Sequence, residues 1–99
     1  MKEATGTRAR FVVRGLVQGV NFRAAVVREA TAHGLTGCVW NTEDDAVALI
    51  AEGSPESLAS LERWLARGPR MARVERVERV DLSGDPRYAD FSISYAAPD

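Results

Sequence analysis

Apolar residues in the first third of the chain follow two different periods. A β-rich apolar run occupies residues 11–13 within residues 8–14, and Gly15 ends it, which predicts a short central strand. From residue 22 to residue 33 the apolar positions recur about every fourth residue, which predicts an amphipathic helix. Gly34 suits the left-handed position that follows a helix. The apolar face of this helix contains Phe22, Val26 and Ala30.

The middle of the chain predicts a hairpin and a second helix. Residues 36–41 and residues 46–52 are β-rich runs, and the polar residues 42–45 between them indicate a loop rather than a two-residue turn. Residues 54–55 then supply a serine N-cap and a proline at the first helical position, and the Gly-Pro pair at residues 68–69 ends the helix. The apolar face of the second helix contains Leu58, Leu61, Trp64 and Leu65.

The last third contains one ambiguous segment and one clear one. Residues 73–82 carry valines three positions apart, a spacing that is compatible with a helix face. Their density of valine and the need to extend the sheet favour an extended strand with a bulge. Residues 83–90 contain glycine and proline and indicate a loop, whereas residues 91–95 alternate apolar and polar side chains and predict a half-buried strand.

The predicted order is β-α-β-β-α-β-β, which defines the fold class as α+β. Two βαβ-type halves favour a ferredoxin-like βαββαβ sandwich, with a mostly antiparallel five-stranded sheet and both helices on one face. The 99 residues suffice for one modest core. We expect residues 1–8, which are polar and aperiodic, to be a flexible N-terminal extension, and residues 9–99 to form the domain.

Composition and charge exclude several classes of protein. The net charge is -1, from 13 basic and 14 acidic side chains, so no nucleic-acid partner is expected. No apolar run approaches the roughly 18–20 residues that span a bilayer, and residues 1–8 lack the apolar region of a secretory signal. The lone Cys38 excludes an internal disulfide, and one histidine with one cysteine do not build a structural metal site. We therefore expect a protein of the reducing cytoplasm without a structural metal site.

The segment from Gly15 to Arg23 has the composition of an anion-binding loop. A strand ends, a loop with a glycine at each end turns, and a helix begins, so several backbone N–H groups and the helix dipole meet in one concavity. The Walker pattern and its lysine are absent. Instead Arg23 lies in the first helical turn, where its planar guanidinium can bind two oxygens of a phosphate group.

Two motifs in this region resemble those of the acylphosphatase family. Residues 15–23 (GLVQGVNFR) resemble the family signature G-x-V-Q-G-V-x-F-R, and residues 37–42 (GCVWNT) resemble a second motif, roughly G-W-V-x-N-x. The order of elements is also similar, and the resemblance extends over about residues 10–95. It implies a monomeric, cofactor-free cytosolic enzyme that hydrolyses small acyl phosphates to a carboxylate and inorganic phosphate.

The resemblance also implies residue roles. Arg23 is then the residue that binds the phosphate, and Asn41 orients the attacking water. The phosphate cradle would be formed by the backbone amides of Gly15, Leu16, Val17, Gln18, Gly19 and Val20.

This chemistry needs no catalytic histidine, cysteine or carboxylate pair. The leaving carboxylate has a conjugate acid with a pKa of about 4, so it departs without a general acid. A loose phosphoryl-transfer transition state asks little of the nucleophile. Positioning is therefore the main requirement, and it contributes up to roughly 7–11 kcal/mol for well-oriented reactants.

Two departures from the family pattern bear on the site. Cys38 replaces the usual tryptophan, and we expect it to pack as a small buried hydrophobic residue. Asp45 stands where a hairpin glycine is common, which leaves the shape of that turn, and with it the position of Asn41, open.

Two other functions compete with hydrolysis. The first is a non-catalytic module that binds phosphate or carbamoyl phosphate, because similar domains occur inside larger carbamoyl-handling proteins. The second is single-stranded RNA binding by the sheet, but Phe91 and Tyr95 do not form the required aromatic pattern. The sequence favours the enzyme because both motifs are present.

Overall fold

The structure is a computed structural model that describes residues 7–98. Its five strands form one sheet in the order β4-β1-β3-β2-β5, in which only β2 and β5 pair in parallel. The predicted α+β sandwich and the central position of the first strand are confirmed. The elements in chain order are β1 (Arg8–Leu16), α1 (Phe22–Ala32), β2 (Thr36–Asn41), β3 (Val47–Glu52), α2 (Pro55–Arg67), β4 (Arg73–Asp81) and β5 (Phe91–Ile93).

The main core lies between the sheet and the two helices. Helix α1 contacts β2 and β5, whereas α2 contacts β4 and β1, so both helices cover one face of the sheet as predicted. A smaller cluster on the other face contains Cys38 and Trp40, and the loop residue Tyr88 packs against it. Cys38 is buried, as expected for a small hydrophobic residue. The buried residues of the main core include Phe11, Val13, Val26, Leu49 and Leu61.

The start of α1 is fixed by packing rather than by a side-chain cap. Asn21 precedes the helix with a left-handed φ of 66° and makes no side-chain capping bond. Phe22, the first helical residue, is buried, and its ring centroid lies 5.9 Å from that of Trp64 in α2. Because Phe22 is held in the core, the next residue, Arg23, has a defined position at the helix N-terminus.

The segment at residues 73–82 is a strand with a bulge, which resolves the ambiguity of its sequence. Arg14 pairs with Arg76 but Gly15 pairs with Val74, so Glu75 is the extra residue of the bulge. Gly15 has a φ of 132°, and a Cβ on it would lie 2.8 Å from the Glu75 backbone nitrogen. Only glycine fits where β1 approaches β4 this closely.

Several strand boundaries differ from the prediction. Strand β1 has 9 residues and continues through Gly15 to Leu16, so it is longer than predicted. Strand β5 ends at Ile93, although the alternation of apolar and polar residues continues to Tyr95. Ser94 donates its N–H to the Val39 carbonyl, and the chain bends at the next residue. Tyr95 is therefore 86% exposed instead of half-buried. Alternation alone cannot show where the partner strand stops supplying hydrogen bonds.

At the other end of the chain, β1 already begins at Arg8, within the segment expected to be an extension. Arg8 is 4% exposed, and its Nε donates to the Glu52 carboxylate at 2.8 Å. The ordered domain therefore includes Arg8. The predicted extension also includes residues 1–6, which lie outside the described residues.

Candidate active site

The loop between β1 and α1, residues 17–21, turns sharply through two left-handed residues. Gly19 has a φ of 75° and Asn21 a φ of 66°. Among residues 7–98, the backbone N–H groups of residues 18, 19 and 21 donate no backbone hydrogen bond of ordinary length and angle. Backbone N–H groups arranged around left-handed residues at a helix N-terminus form an anion-binding concavity.

A cavity of about 550 Å³ lies against this loop and the first turn of α1. Arg23 lines it from the helix, and Asn41 lines it from the end of β2. The two residues for which the sequence predicts catalytic roles therefore share one cavity. Arg23 is its only charged lining residue in the described part of the chain.

The six predicted cradle residues do not all lie at the cavity. Val17, Gly19 and Val20 line it, and Gln18 lies in the same loop but is not a lining residue. Gly15 and Leu16 belong to β1 and pair with β4. The cavity continues beyond Val20, along residues 21–24. The concavity is therefore displaced toward the helix, relative to the segment that the motif suggested.

Arg23 carries an aromatic side chain on one face of its guanidinium group. The Arg23 Cζ lies 5.5 Å from the centroid of the Tyr95 ring, a distance typical of a cation–π contact. Such a contact uses the face of the guanidinium and leaves its N–H donors, which lie in the plane, available. Within residues 7–98, no carboxylate forms an ion pair with Arg23.

Asn41 presents an unpartnered acceptor. Its Oδ1 is buried without a hydrogen-bond partner, and in the described residues no other buried side-chain nitrogen or oxygen is in that state. A buried acceptor left unpaired costs about 1–3 kcal/mol. Residues 7–98 therefore supply Asn41 Oδ1 with no donor.

The side chain of Gln18 joins the β1–α1 loop to the β2–β3 turn (residues 42–46). Its Nε2 donates to the Thr42 carbonyl at 2.9 Å and to the Ala46 carbonyl at 2.7 Å. The sequence associated only the backbone of Gln18 with the site. Its side chain instead holds the loop against the residue that follows Asn41.

The β2–β3 turn accommodates its aspartate in the conformation usually taken by glycine. Asp45 has a φ of 72°, and the turn is closed by hydrogen bonds from the Thr42 N–H to the Ala46 carbonyl and from the Ala46 N–H to Thr42 Oγ1, each of 2.9 Å. Beside it, hydrogen bonds from Thr42 and Arg14 lower the pKa of the Asp44 carboxyl. Asn41 thus precedes a fully hydrogen-bonded turn.

Three residues that line the cavity could not be identified as functional from the sequence. Asn21 occupies a variable position of the first motif, and Ile93 was assigned only to the sheet. Met71 lies in the turn between α2 and β4 and lines the cavity although it is 74% exposed. No spacing in the sequence connects Met71 with Arg23.

Two features are absent from residues 7–98. No group of three or more histidine, cysteine, aspartate or glutamate side chains is arranged to hold a metal ion. Neither helix there has the length and apolar character required to cross a bilayer.

The fold and the cavity define a small α+β protein with a concave site at the N-terminus of α1. The acylphosphatase family model matches residues 9–93. The acylphosphatase of Mannheimia succiniciproducens is 44% identical over 88 residues, which cover 89% of this chain and 98% of that protein. The chain belongs to the acylphosphatase family. It is accordingly a hydrolase of acyl phosphates.

Solved structures agree with this assignment. An acylphosphatase from Coxiella burnetii superposes with a TM-score of 0.86 at 36% identity, over 95% of this chain and 98% of that one. Full-length HypF, in a phosphate- and nucleotide-bound form, superposes with a TM-score of 0.78 at 26% identity, over 88% of this chain but only 12% of HypF. The fold therefore occurs both as a small protein and as part of a much larger one.

Proposed function

We propose that the phosphoryl group of the substrate binds between Arg23 and the N–H groups of the β1–α1 loop, and that Asn41 orients the attacking water. The observation that carries this proposal is that Arg23 and Asn41 line the same cavity, and that the buried Asn41 Oδ1 has no hydrogen-bond partner within residues 7–98. The N–H groups of residues 18–21 and of the first turn of α1 bind the remaining phosphate oxygens.

In the proposed reaction, the water oxygen attacks phosphorus and the bond between phosphorus and the acyl oxygen breaks. The carboxylate leaves with the electron pair of that bond, so no proton has to be donated to it, because its conjugate acid has a pKa of about 4. Asn41 Oδ1 accepts a hydrogen bond from the water. This bond orients the water so that a lone pair of the water oxygen points toward phosphorus. The proton lost by the water passes to the phosphate product or to solvent.

The rate contribution comes from fixed donors rather than from acid–base catalysis. The Arg23 guanidinium and the loop amides are in place before substrate binds, since α1 is fixed by Phe22 and the loop by Gln18. Donors that are already oriented stabilise the charge on the transferring group without reorganisation. A bidentate arginine also fixes the orientation of the phosphoryl group relative to the water.

Hydrolysis of benzoyl phosphate in excess EDTA tests the roles of both residues. Arg23→Ala and Asn41→Ala should each lose about 10²–10³-fold in kcat/KM. Arg23→Lys should not restore activity, because an ammonium group is a point charge without the planar fork. Wild-type rates in either arginine variant would overturn the assignment of Arg23, and wild-type rates in Asn41→Ala would overturn that of Asn41.

The match to 12% of HypF, which was solved in a phosphate- and nucleotide-bound form, raises one alternative, a module that binds phosphate without useful turnover. Both functions require Arg23, but only hydrolysis requires Asn41 to orient water. Inorganic phosphate binding measured by calorimetry separates the two. A folded wild type that binds phosphate and leaves benzoyl phosphate intact would be the module.

We also propose that the protein acts as a cytoplasmic monomer on a small acyl phosphate. The free, buried Cys38 fits a reducing compartment. The cavity is completed by residues of one chain, so the proposed chemistry needs no second subunit. Light scattering at micromolar concentration and fractionation of cells test the two statements.

A further inference from the structure

Exposed apolar side chains concentrate around the opening of the cavity. Among residues 7–98, four large hydrophobic side chains are exposed: Leu16, Met71, Val80 and Tyr95. Met71 lines the cavity, Tyr95 packs on Arg23, and Leu16 directly precedes the β1–α1 loop. Val80 is separate from them, because it pairs with Arg10 toward the opposite end of β1.

Met71 and Tyr95 approach the site from two different elements. Met71 belongs to the turn between α2 and β4, which is closed by a hydrogen bond of 3.0 Å from the Ala72 N–H to the Pro69 carbonyl. Tyr95 follows β5, whose last residue, Ile93, also lines the cavity. Two elements far apart in the sequence therefore bring an apolar side chain to this region, Met71 to the cavity wall and Tyr95 to Arg23.

The rest of the cavity wall offers few polar groups. Apart from Arg23, its polar side chains are those of Asn21 and Asn41, and its other side chains include Val17, Val20 and Ile93. Once Arg23 holds a phosphoryl group, no charged side chain of the wall remains to pair with a charge on the acyl group. An uncharged and apolar acyl group is the chemistry that this wall complements.

We propose that Met71 and Tyr95 form the subsite for the acyl group and that it favours apolar, flat acyl groups over small ones. The proposal rests on the proposed function, because it requires the phosphoryl group to bind at Arg23. Contact of an aromatic ring with these side chains removes roughly 30–55 Å² of apolar area from water, which corresponds to about a three- to tenfold preference. Tyr95 also positions Arg23, since its ring covers one face of the guanidinium.

The test compares kcat/KM for benzoyl phosphate with kcat/KM for acetyl phosphate. Met71→Ser and Tyr95→Ser should each lower the benzoyl-to-acetyl ratio by about three- to tenfold. Met71→Leu and Tyr95→Phe should retain the wild-type ratio, because they keep the apolar contact. Val80→Ser is the matched control, a truncation of an exposed apolar residue (59% exposed) away from the cavity, and should leave both rates unchanged.

The outcomes separate this proposal from the proposed function. Met71→Ser and Tyr95→Ser could lose kcat/KM equally on both substrates, or lose none. Either result would overturn the acyl subsite, while hydrolysis by the wild type would still support the proposed function. Failure of the wild type to hydrolyse either substrate would overturn both. Competitive inhibition by inorganic phosphate should be unchanged in Met71→Ser, and a large loss of inhibition would assign Met71 to the phosphate site instead.

Discussion

The Gln18 side chain donates from Nε2 to the carbonyl oxygen of Thr42 at 2.9 Å, which joins the β1–α1 loop to the turn that follows Asn41. A second bond of 2.7 Å from the same nitrogen reaches the Ala46 carbonyl. One amide group therefore links the two halves of the site, the loop proposed to bind phosphate and the strand end proposed to orient water.

Gln18→Met should lower kcat/KM while the protein remains folded. The substitution keeps the length of the side chain but removes both donors, and a displacement of about 1 Å between reacting groups can cost on the order of 10²-fold in rate. We expect a ten- to hundredfold loss for benzoyl phosphate hydrolysis, consistent with that limit of about 10²-fold. Ser60→Ala, which removes a surface hydrogen bond to Arg63 on α2, is the control and should retain full activity. Full activity in Gln18→Met would show that the loop holds its position without this link.

The regular elements could be predicted because each buries one side or face in a common core. The periodic spacing of Phe22, Val26 and Ala30 reflects contact with the sheet, and these three residues are buried in the structure. The burial of Arg8 could not be predicted, because a charged residue at the start of a strand is ordinarily exposed. Its partner, Glu52, lies on another strand, and no local pattern connects the two.

Only the residues that belong to the two motifs could be predicted from the sequence as parts of the candidate site. Arg23 and Asn41 belong to recognisable motifs, and the structure places both at one cavity. The alternation of residues 91–95 predicts Tyr95 as a strand residue, and Met71 belongs to no motif. Met71 reaches the cavity, and Tyr95 reaches Arg23, through the tertiary fold alone, so neither contact could be found from local sequence.

Asp45→Val should destabilise the protein and impair catalysis together. Asp45 has a φ of 72°, and a β-branched residue tolerates this left-handed conformation poorly, at a cost of about 1–2 kcal/mol. Asp45→Gly, which adopts it readily, should retain wild-type stability and activity. Chemical denaturation and benzoyl phosphate hydrolysis measure the two effects. Equal stability of the valine and glycine variants would contradict a strict conformational requirement at this turn.

Glu52 is a buried carboxylate whose ionised form is stabilised by several donors. Burial by itself would raise the pKa of Glu52, but the hydrogen bonds from Arg8 and from the backbone N–H groups of Arg87 and Tyr88 outweigh it, and the pKa lies below its ordinary value of 4.5. A pKa that is lowered by folding stabilises the native state above pH 4.5, and this stabilisation is lost as the pH falls through the lower, folded value.

Glu52→Gln should therefore destabilise the protein most at neutral pH. Removing one charge of a buried pair costs about 3–5 kcal/mol, because Arg8 is left buried without its partner. The difference in free energy of unfolding between wild type and variant should shrink below pH 4.5, as Glu52 becomes protonated in the wild type. Glu62→Gln is the control, since its bond to Arg79 is partly exposed and should contribute less than about 1 kcal/mol. A difference that did not vary between pH 7 and pH 3 would contradict this role of the charge.

The two glycines of the first motif should fail in different ways when each is replaced by alanine. A Cβ on Gly15 would lie 2.8 Å from the Glu75 nitrogen, so Gly15→Ala should separate β1 from β4 and destabilise the protein by on the order of 3 kcal/mol. A Cβ on Gly19 meets no atom within 4 Å, and Gly19→Ala should cost only about 1–2 kcal/mol for its left-handed φ. Gly19 lines the cavity, so the methyl group added in Gly19→Ala should weaken inhibition by inorganic phosphate. At temperatures where both variants are folded, this loss should be larger in Gly19→Ala than in Gly15→Ala. Similar phosphate affinities in the two folded variants would place the bound phosphate away from Gly19 and would shift the cradle toward the α1 end of the cavity.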